Sequence, residues 1–176
     1  FGKRFGANLR EPGREFANAR DPGKRLRVGF VSGDLREHAM AYFIEPVWRE
    51  LDRTQVELFA YANLPQEDAT SQRLKPLADH WRLVHSLDDA QLAQQVRDDG
   101  IDILIDLSGH TVRNRLLVFA RKPAPVQASW IGYPETTGLT AMDYYITNVH
   151  STPPGALDSL YVEKLVRLHA SGPFQP

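Results

Sequence analysis

From Leu26 onward, short apolar runs of β-type residues alternate with longer stretches of helical period, and that alternation leaves few folds open to the chain. Strand-like runs fall at 26–31, 56–61, 81–84, 101–107, 127–131, 144–147 and 164–168. Helical stretches fall between them at 40–51, 70–78, 88–99 and 113–121. The run I-D-I-L-I-D-L at 101–107 is apolar enough for a central strand covered on both faces. Punctuation agrees with this order. Pro46 kinks or delays the helix at 40–51, Pro76 breaks the one at 70–78, and the Pro123/Pro125 pair ends the one at 113–121. Ser86 is placed to cap the helix over 88–99, and Gly100 to stop it. The expected fold is α/β: a Rossmann-like three-layer domain with a mostly parallel sheet, over 25–170. In such sheets ligands sit beyond the carboxyl ends of the strands, where strand order reverses, so chemistry is sought in the loops that follow strands.

Composition narrows the classes of function. The chain has 176 residues, 42% hydrophobic, enough for a core without metal or staples. It has no cysteine, which excludes disulfides, a thiolate nucleophile and a cysteine zinc site. The 21 basic and 22 acidic side chains give a formal net charge of −1, no bulk attraction for nucleic acid or an anionic membrane. Neither is expected as a partner. No apolar run nears the roughly 20 residues needed to span a bilayer, and no charged-then-apolar leader opens the sequence, so a cytoplasmic protein is expected. Charge is unevenly spread: residues 1–27 carry eight Lys/Arg against three acids. Pro12-Gly13 and Pro22-Gly23 add turns there, and no apolar period is sustained. Residues 1–24 are expected to be a basic linker from an upstream region. A nucleic-acid-binding arm is the competing reading, but it lacks the interleaved aromatic and basic residues of a stacking platform. The opening Phe1 and the unclosed end at 171–176 are expected of a piece cut from a longer chain.

Three loops carry candidate chemistry. After the first strand, S-G-D-L-R-E-H at 32–38 lacks the G-x-G-x-x-G dinucleotide fingerprint, which disfavours hydride transfer. It places Asp34 four residues before His38. If 35–38 turn helically the two share a face, and the carboxylate orients the imidazole for proton handling. The other reading makes Asp34 a helix N-cap and His38 an exposed first-turn residue. After 101–107, Ser108-Gly109-His110-Thr111 brings backbone close to a ligand, or Gly109 makes the turn and Thr111 caps the helix at 113–121. After 127–131, Gly132 to Gly138 offers the flat face of Tyr133 and the hydroxyls of Thr136 and Thr137 for a sugar or peptide; a surface loop reads the same way. His80, His85, His150 and His169 lack metal-ligand spacing, and no G-x-S-x-G elbow supports a serine nucleophile. Asp102 and Asp106 alternate outward from their strand as strand-end or edge carboxylates, and Asp106 is expected to reach the cleft.

The same segments carry a family resemblance. R-L-R-V-G-F-V-S-G-D-L-R-E-H (25–38), I-D-I-L-I-D-L-S-G-H-T (101–111), N-R-L-L-V-F-A-R-K-P-A-P-V-Q (114–127) and W-I-G-Y-P-E-T-T-G-L-T-A-M-D-Y (130–144) occur in order. Together they closely resemble the amino-terminal catalytic lobe of glycosyltransferase family 41, the bacterial O-linked N-acetylglucosamine transferase-like proteins of the SPINDLY type. That resemblance implies a GT-B architecture of two Rossmann-like lobes behind a tetratricopeptide superhelix. It also implies inverting transfer of N-acetylglucosamine or a related sugar from a UDP-sugar to protein Ser/Thr, with no cofactor and no required metal. The partners it implies are the UDP-sugar, the protein acceptor, the upstream repeats and a downstream uridine-binding lobe.

Carried over by position, His38 and Asp34 match the cleft histidine and aspartate discussed for proton handling. Ile131, Gly132 and Tyr133 match the loop lining the sugar pocket, and Thr136 belongs to the same loop. His110 and Thr111 match the strand-end loop facing the cleft. Two departures stand out: Glu135 replaces a small residue in the sugar loop, and Tyr42 stands where the animal enzymes carry a second histidine. Half of such an enzyme is expected to be inactive alone. Glu135 also suits an alternative, a non-catalytic lobe binding sugar nucleotide or protein. A phosphoacceptor receiver domain needs an acidic pair after its first strand, and Asp34 has only Glu37 nearby.

Overall fold

The computed structural model describes residues 1–6, 8–9, 15–155 and 157–169; Pro12-Gly13 and the 171–176 connector lie outside them. Seven strands form one sheet: β1 Leu26–Ser32, β2 Val56–Ala62, β3 His80–Leu83, β4 Ile103–Asp106, β5 Val126–Trp130, β6 Tyr144–Asn148 and β7 Lys164–Leu168. Their order is β3-β2-β1-β4-β5-β6-β7, with every neighbouring pair parallel. Four α-helices are described: α1 Ala39–Glu50, α2 Ala69–Leu74, α3 Asp89–Asp98 and α4 Leu116–Ala120. The chain steps outward from β1 to β3, then returns to the other side of β1 at β4. Strand order therefore reverses between β1 and β4, and the loops after these two strands flank the switch point where doubly wound sheets bind ligands.

Side chains alternate across β1 with a period of two, so Val28 and Phe30 enter one core layer and Val31 the other. The first layer packs against α1 through Met40, Ile44 and Trp48, whose indole is fully buried with its ring centroid 5.5 Å from that of Phe30. The second layer receives Leu92 and Val96 of α3 and Leu116 and Phe119 of α4. Pro46 does not delay α1, which runs through it. The helical donor that proline removes belongs to the carbonyl of Tyr42, a residue 70% exposed, so solvent reaches the place where it is missing.

Several local expectations need correction. Asp88, not Ser86, caps α3; its carboxylate accepts from the Ala90 and Gln91 amides, and Gln91 returns a bond to the Asp88 amide. The helix expected at 113–121 begins only at Leu116, because Arg113 takes a left-handed conformation (φ 63°). Thr111 therefore caps no helix. Nor is Asp34 an N-cap: that place at α1 belongs to His38.

Candidate active site

The first loop is nailed into the core by Leu35, which is fully buried. Around it, Ser32 Oγ accepts from the Asp34 amide at 2.9 Å, and Asp68 Oδ2 from the Glu37 amide at 2.7 Å. Residues 35–38 do not turn helically, and His38 is extended (φ −159°, ψ 153°), so the shared helical face expected for Asp34 and His38 does not form. Asp34 is buried and paired with Arg36 at 3.3 Å. His38 is exposed, and its Nδ1 accepts from the Met40 amide at 3.2 Å. With Nδ1 occupied as an acceptor, the neutral ring carries its proton on Nε2 and presents a donor outward.

The second loop is organised from beneath. Asp106, 1% exposed, accepts from the amides of Ser108 (3.1 Å) and Gly109 (2.8 Å) and from Ser129 Oγ (2.9 Å). Burial pushes its carboxyl above the ordinary range, against the pull of those three donors. Asp102 and Asp106 are strand-end carboxylates, one just before β4 and one closing it, but the expectation that they face outward needs correction, since each is buried and bonded. Thr111 Oγ1 donates to the Ser108 carbonyl at 2.8 Å and keeps lone pairs for a ligand donor.

The third loop leaves β5 through a sharp turn. Ile131 has φ 64°, and the Gly132 amide bonds back to the Trp130 carbonyl at 2.8 Å, the geometry of a γ-turn of the rare positive-φ kind. That turn is strained for a β-branched residue. It lays Gly132 against β4 so closely that a β-carbon there would stand 1.9 Å from the Leu107 carbonyl oxygen. Tyr133 follows, its Cβ directly over Gly109. Its ring meets that of His110 edge-on at 5.4 Å, and His110 Nε2 donates to the Thr137 carbonyl at 2.9 Å. Phe1 also meets the His110 ring edge-on, at 5.0 Å.

Second and third loops thus form one wall holding His110, Thr111, Ile131, Gly132 and Tyr133. The first loop joins that wall through the Gly33 amide, which donates to Ser108 Oγ at 3.4 Å. The hydroxyl of Thr136 is spent on the loop itself: it donates to Glu163 at 2.6 Å and accepts from the Gly138 and Val162 amides. A role for Thr136 in gripping ligand gives way to loop architecture. Likewise, the amides of Ser108, Gly109, Thr111, Gly132, Thr137 and Gly138 all bond within the protein, so none of these six is offered to a ligand.

Sequence reasoning missed Glu163, which precedes β7 and binds both Thr136 and Thr137. Nothing in its local sequence marks it. Asp106 did carry a signal, a carboxylate at the end of an apolar strand two residues before a Ser-Gly turn. Among the described residues no cluster of His, Asp or Glu could hold a metal ion, and no helix is long and apolar enough to cross a membrane.

The same wall is carried by segments with known counterparts. The chain is 38% identical over 155 residues to a probable UDP-N-acetylglucosamine–peptide N-acetylglucosaminyltransferase SPINDLY of Solanum lycopersicum, 86% of this chain and 16% of that protein. It is 39% identical over 149 residues to the UDP-N-acetylglucosamine–peptide N-acetylglucosaminyltransferase of Caenorhabditis elegans, 81% of this chain and 12% of that protein. A mutant O-GlcNAc transferase of Thermobaculum terrenum superposes with a TM-score of 0.89 at 48% identity, covering 96% of this chain and 32% of the other. The chain spans under a fifth of the curated relatives it matches. With the glycosyl transferase family 41 model matching residues 8–172, the chain belongs to that family and forms an α/β, Rossmann-like part of its members.

Proposed function

We propose that this chain is the amino-terminal half of the catalytic region of an inverting transferase that moves N-acetylglucosamine, or a related sugar, from a UDP-sugar to Ser or Thr of a protein. The observation that carries this reading is the single wall of loops two and three beside the β1/β4 switch point. In this reading residues 25–170 are the first lobe, 1–24 the linker from upstream tetratricopeptide repeats, and 171–176 the connector to a uridine-binding lobe. The protein works in the cytoplasm.

An acceptor hydroxyl gives up its proton as its oxygen attacks the anomeric carbon, while the bond from that carbon to the diphosphate breaks and charge builds on the leaving group. His38, with Nδ1 held by the Met40 amide, offers Nε2–H to an oxygen of donor or acceptor. It orients the reactants, and the acceptor's proton passes to an oxygen of the departing diphosphate. Tyr133 and His110 provide a face for the sugar ring, and Thr111 Oγ1 accepts a hydrogen bond from one of its hydroxyls. Charge on the departing diphosphate is stabilised by the other lobe, and no metal or cofactor enters.

The test is transfer from UDP-GlcNAc to a peptide library. Full-length protein transfers sugar; the isolated chain does not, and product from the isolated chain overturns the half-enzyme reading. A second reading rests on the exposed Glu135 in the sugar loop: a lobe that binds sugar nucleotide or protein without transfer. UDP-GlcNAc binding to the full-length protein with no product on any peptide would decide for it.

A further inference from the structure

We propose that Asp106 is the positioning residue of this site: it fixes the second loop, and so sets where His110 and Thr111 stand against Tyr133. The proposal rests on the transfer reading above. Asp106 ends the central strand, between the fully buried Leu104 and Leu107 and beside its register partner Ser129 on β5. Its three donors are all neutral, and among the described residues no Lys or Arg pairs with it. A carboxylate withdrawn from water without a cation costs several kcal/mol, and an apolar side chain would suit this strand better for stability alone.

What the carboxylate adds is geometry. It takes the amides two and three residues ahead, an Asx-type turn that reverses the chain just as it leaves the sheet. Gly109 completes that turn at φ 55°, which brings the backbone under Tyr133. The third bond, from Ser129, ties the turn to β5, the strand that leads into the loop of Ile131 and Tyr133. One buried group thereby registers two loops from different strands. Asp106 touches no ligand in this arrangement; it acts through His110 and Thr111.

The test uses the full-length protein with Asp106→Ala, Asp106→Asn and Ser129→Ala, read by steady-state transfer from UDP-GlcNAc and by amide exchange across 107–112. Asp106→Ala lowers kcat about a hundredfold, the scale of a misplacement near 1 Å, while KM for the donor changes far less. Exchange of the Ser108 and Gly109 amides accelerates. Asp106→Asn retains an acceptor for the turn and restores most of kcat and of the protection. Ser129→Ala falls between them. A folded Asp106→Ala protein with wild-type kcat overturns the proposal, as does an Asp106→Asn protein as impaired as Asp106→Ala. Should Asp106→Ala not fold, wild-type kcat in Ser129→Ala overturns it. If wild-type protein neither binds nor turns over UDP-GlcNAc, the transfer reading fails instead, and exchange alone decides: unchanged protection in Asp106→Ala refutes the positioning role.

Discussion

A methyl group at Gly132 has nowhere to go, because the Leu107 carbonyl oxygen already stands 1.9 Å from where it would be and belongs to a central strand. Gly109 is as constrained: φ is 55°, and a β-carbon would lie 2.2 Å from that of Tyr133. Gly132→Ala and Gly109→Ala should each destabilise the protein by about 3 kcal/mol, read as a lower urea midpoint at unchanged m. Asp106 gives a prediction of opposite character. Its folded carboxyl titrates above the ordinary 3.8, so its contribution to stability is present below 3.8 and lost as pH rises through the folded value. The stability difference between Asp106→Asn and wild type should accordingly move in the variant's favour as pH rises above 3.8, then level off. A flat difference from pH 3 to pH 7 would contradict the burial argument. At this scale the sequence was legible where a residue's role follows from its neighbours in the chain, as with Gly109 before the polar loop. It was opaque where the partner is distant, as with Asp106 and Ser129, 23 positions apart.

Helix caps show the same division within single elements. The helix after 86 was legible from its acids and its Gly100 stop, but Ser86 and Asp88 both satisfy the cap rule, and only the chain's path off β3 chooses between them. Asp88→Ala should cost about 1 kcal/mol and Ser86→Ala nearly nothing, measured as paired melting curves. At α1 the cap and the candidate chemistry coincide in one side chain. His38→Ala should cut transfer by orders of magnitude in the full-length protein and also lower stability by roughly 0.5–1 kcal/mol, because the Met40 amide loses its acceptor. An exposed histidine with no structural duty would leave the melting temperature unmoved. The late start of α4 was hidden for another reason: no periodicity rule anticipates Arg113 at φ 63°, a conformation held in place by the Asn63 side chain on its carbonyl at 2.8 Å.

Across the whole molecule, β4 runs between two carboxylates that serve opposite ends. Asp106 sits at the carboxyl edge under the candidate site. Asp102, just before the strand, gathers Asn18 (2.8 Å), Lys24 (2.6 Å) and the Arg27 amide (2.9 Å), which straps the incoming segment across the far edge of the sheet. The alternation of elements made the sheet and its functional edge legible, because hydrophobic period is local; the strap was not, since Asn18 and Asp102 meet only once the sheet exists. Burial pushes Asp102 up, but Lys24 and its other donors outweigh that and hold it below its ordinary 3.8. Its contribution is therefore present above 3.8 and lost as pH falls through the lower folded value. Asp102→Asn should cost about 2 kcal/mol at pH 7, with the deficit shrinking as the solution is acidified below 3.8, the reverse of the trend at Asp106. Because the strap lies at the opposite ends of the strands from the loops, the same variant should keep wild-type kcat in the full-length protein. A large loss of kcat with Asp102→Asn, at a temperature where the protein stays folded, would mean that the two edges of the sheet are coupled, and that the wall around Tyr133 depends on how the upstream segment is held.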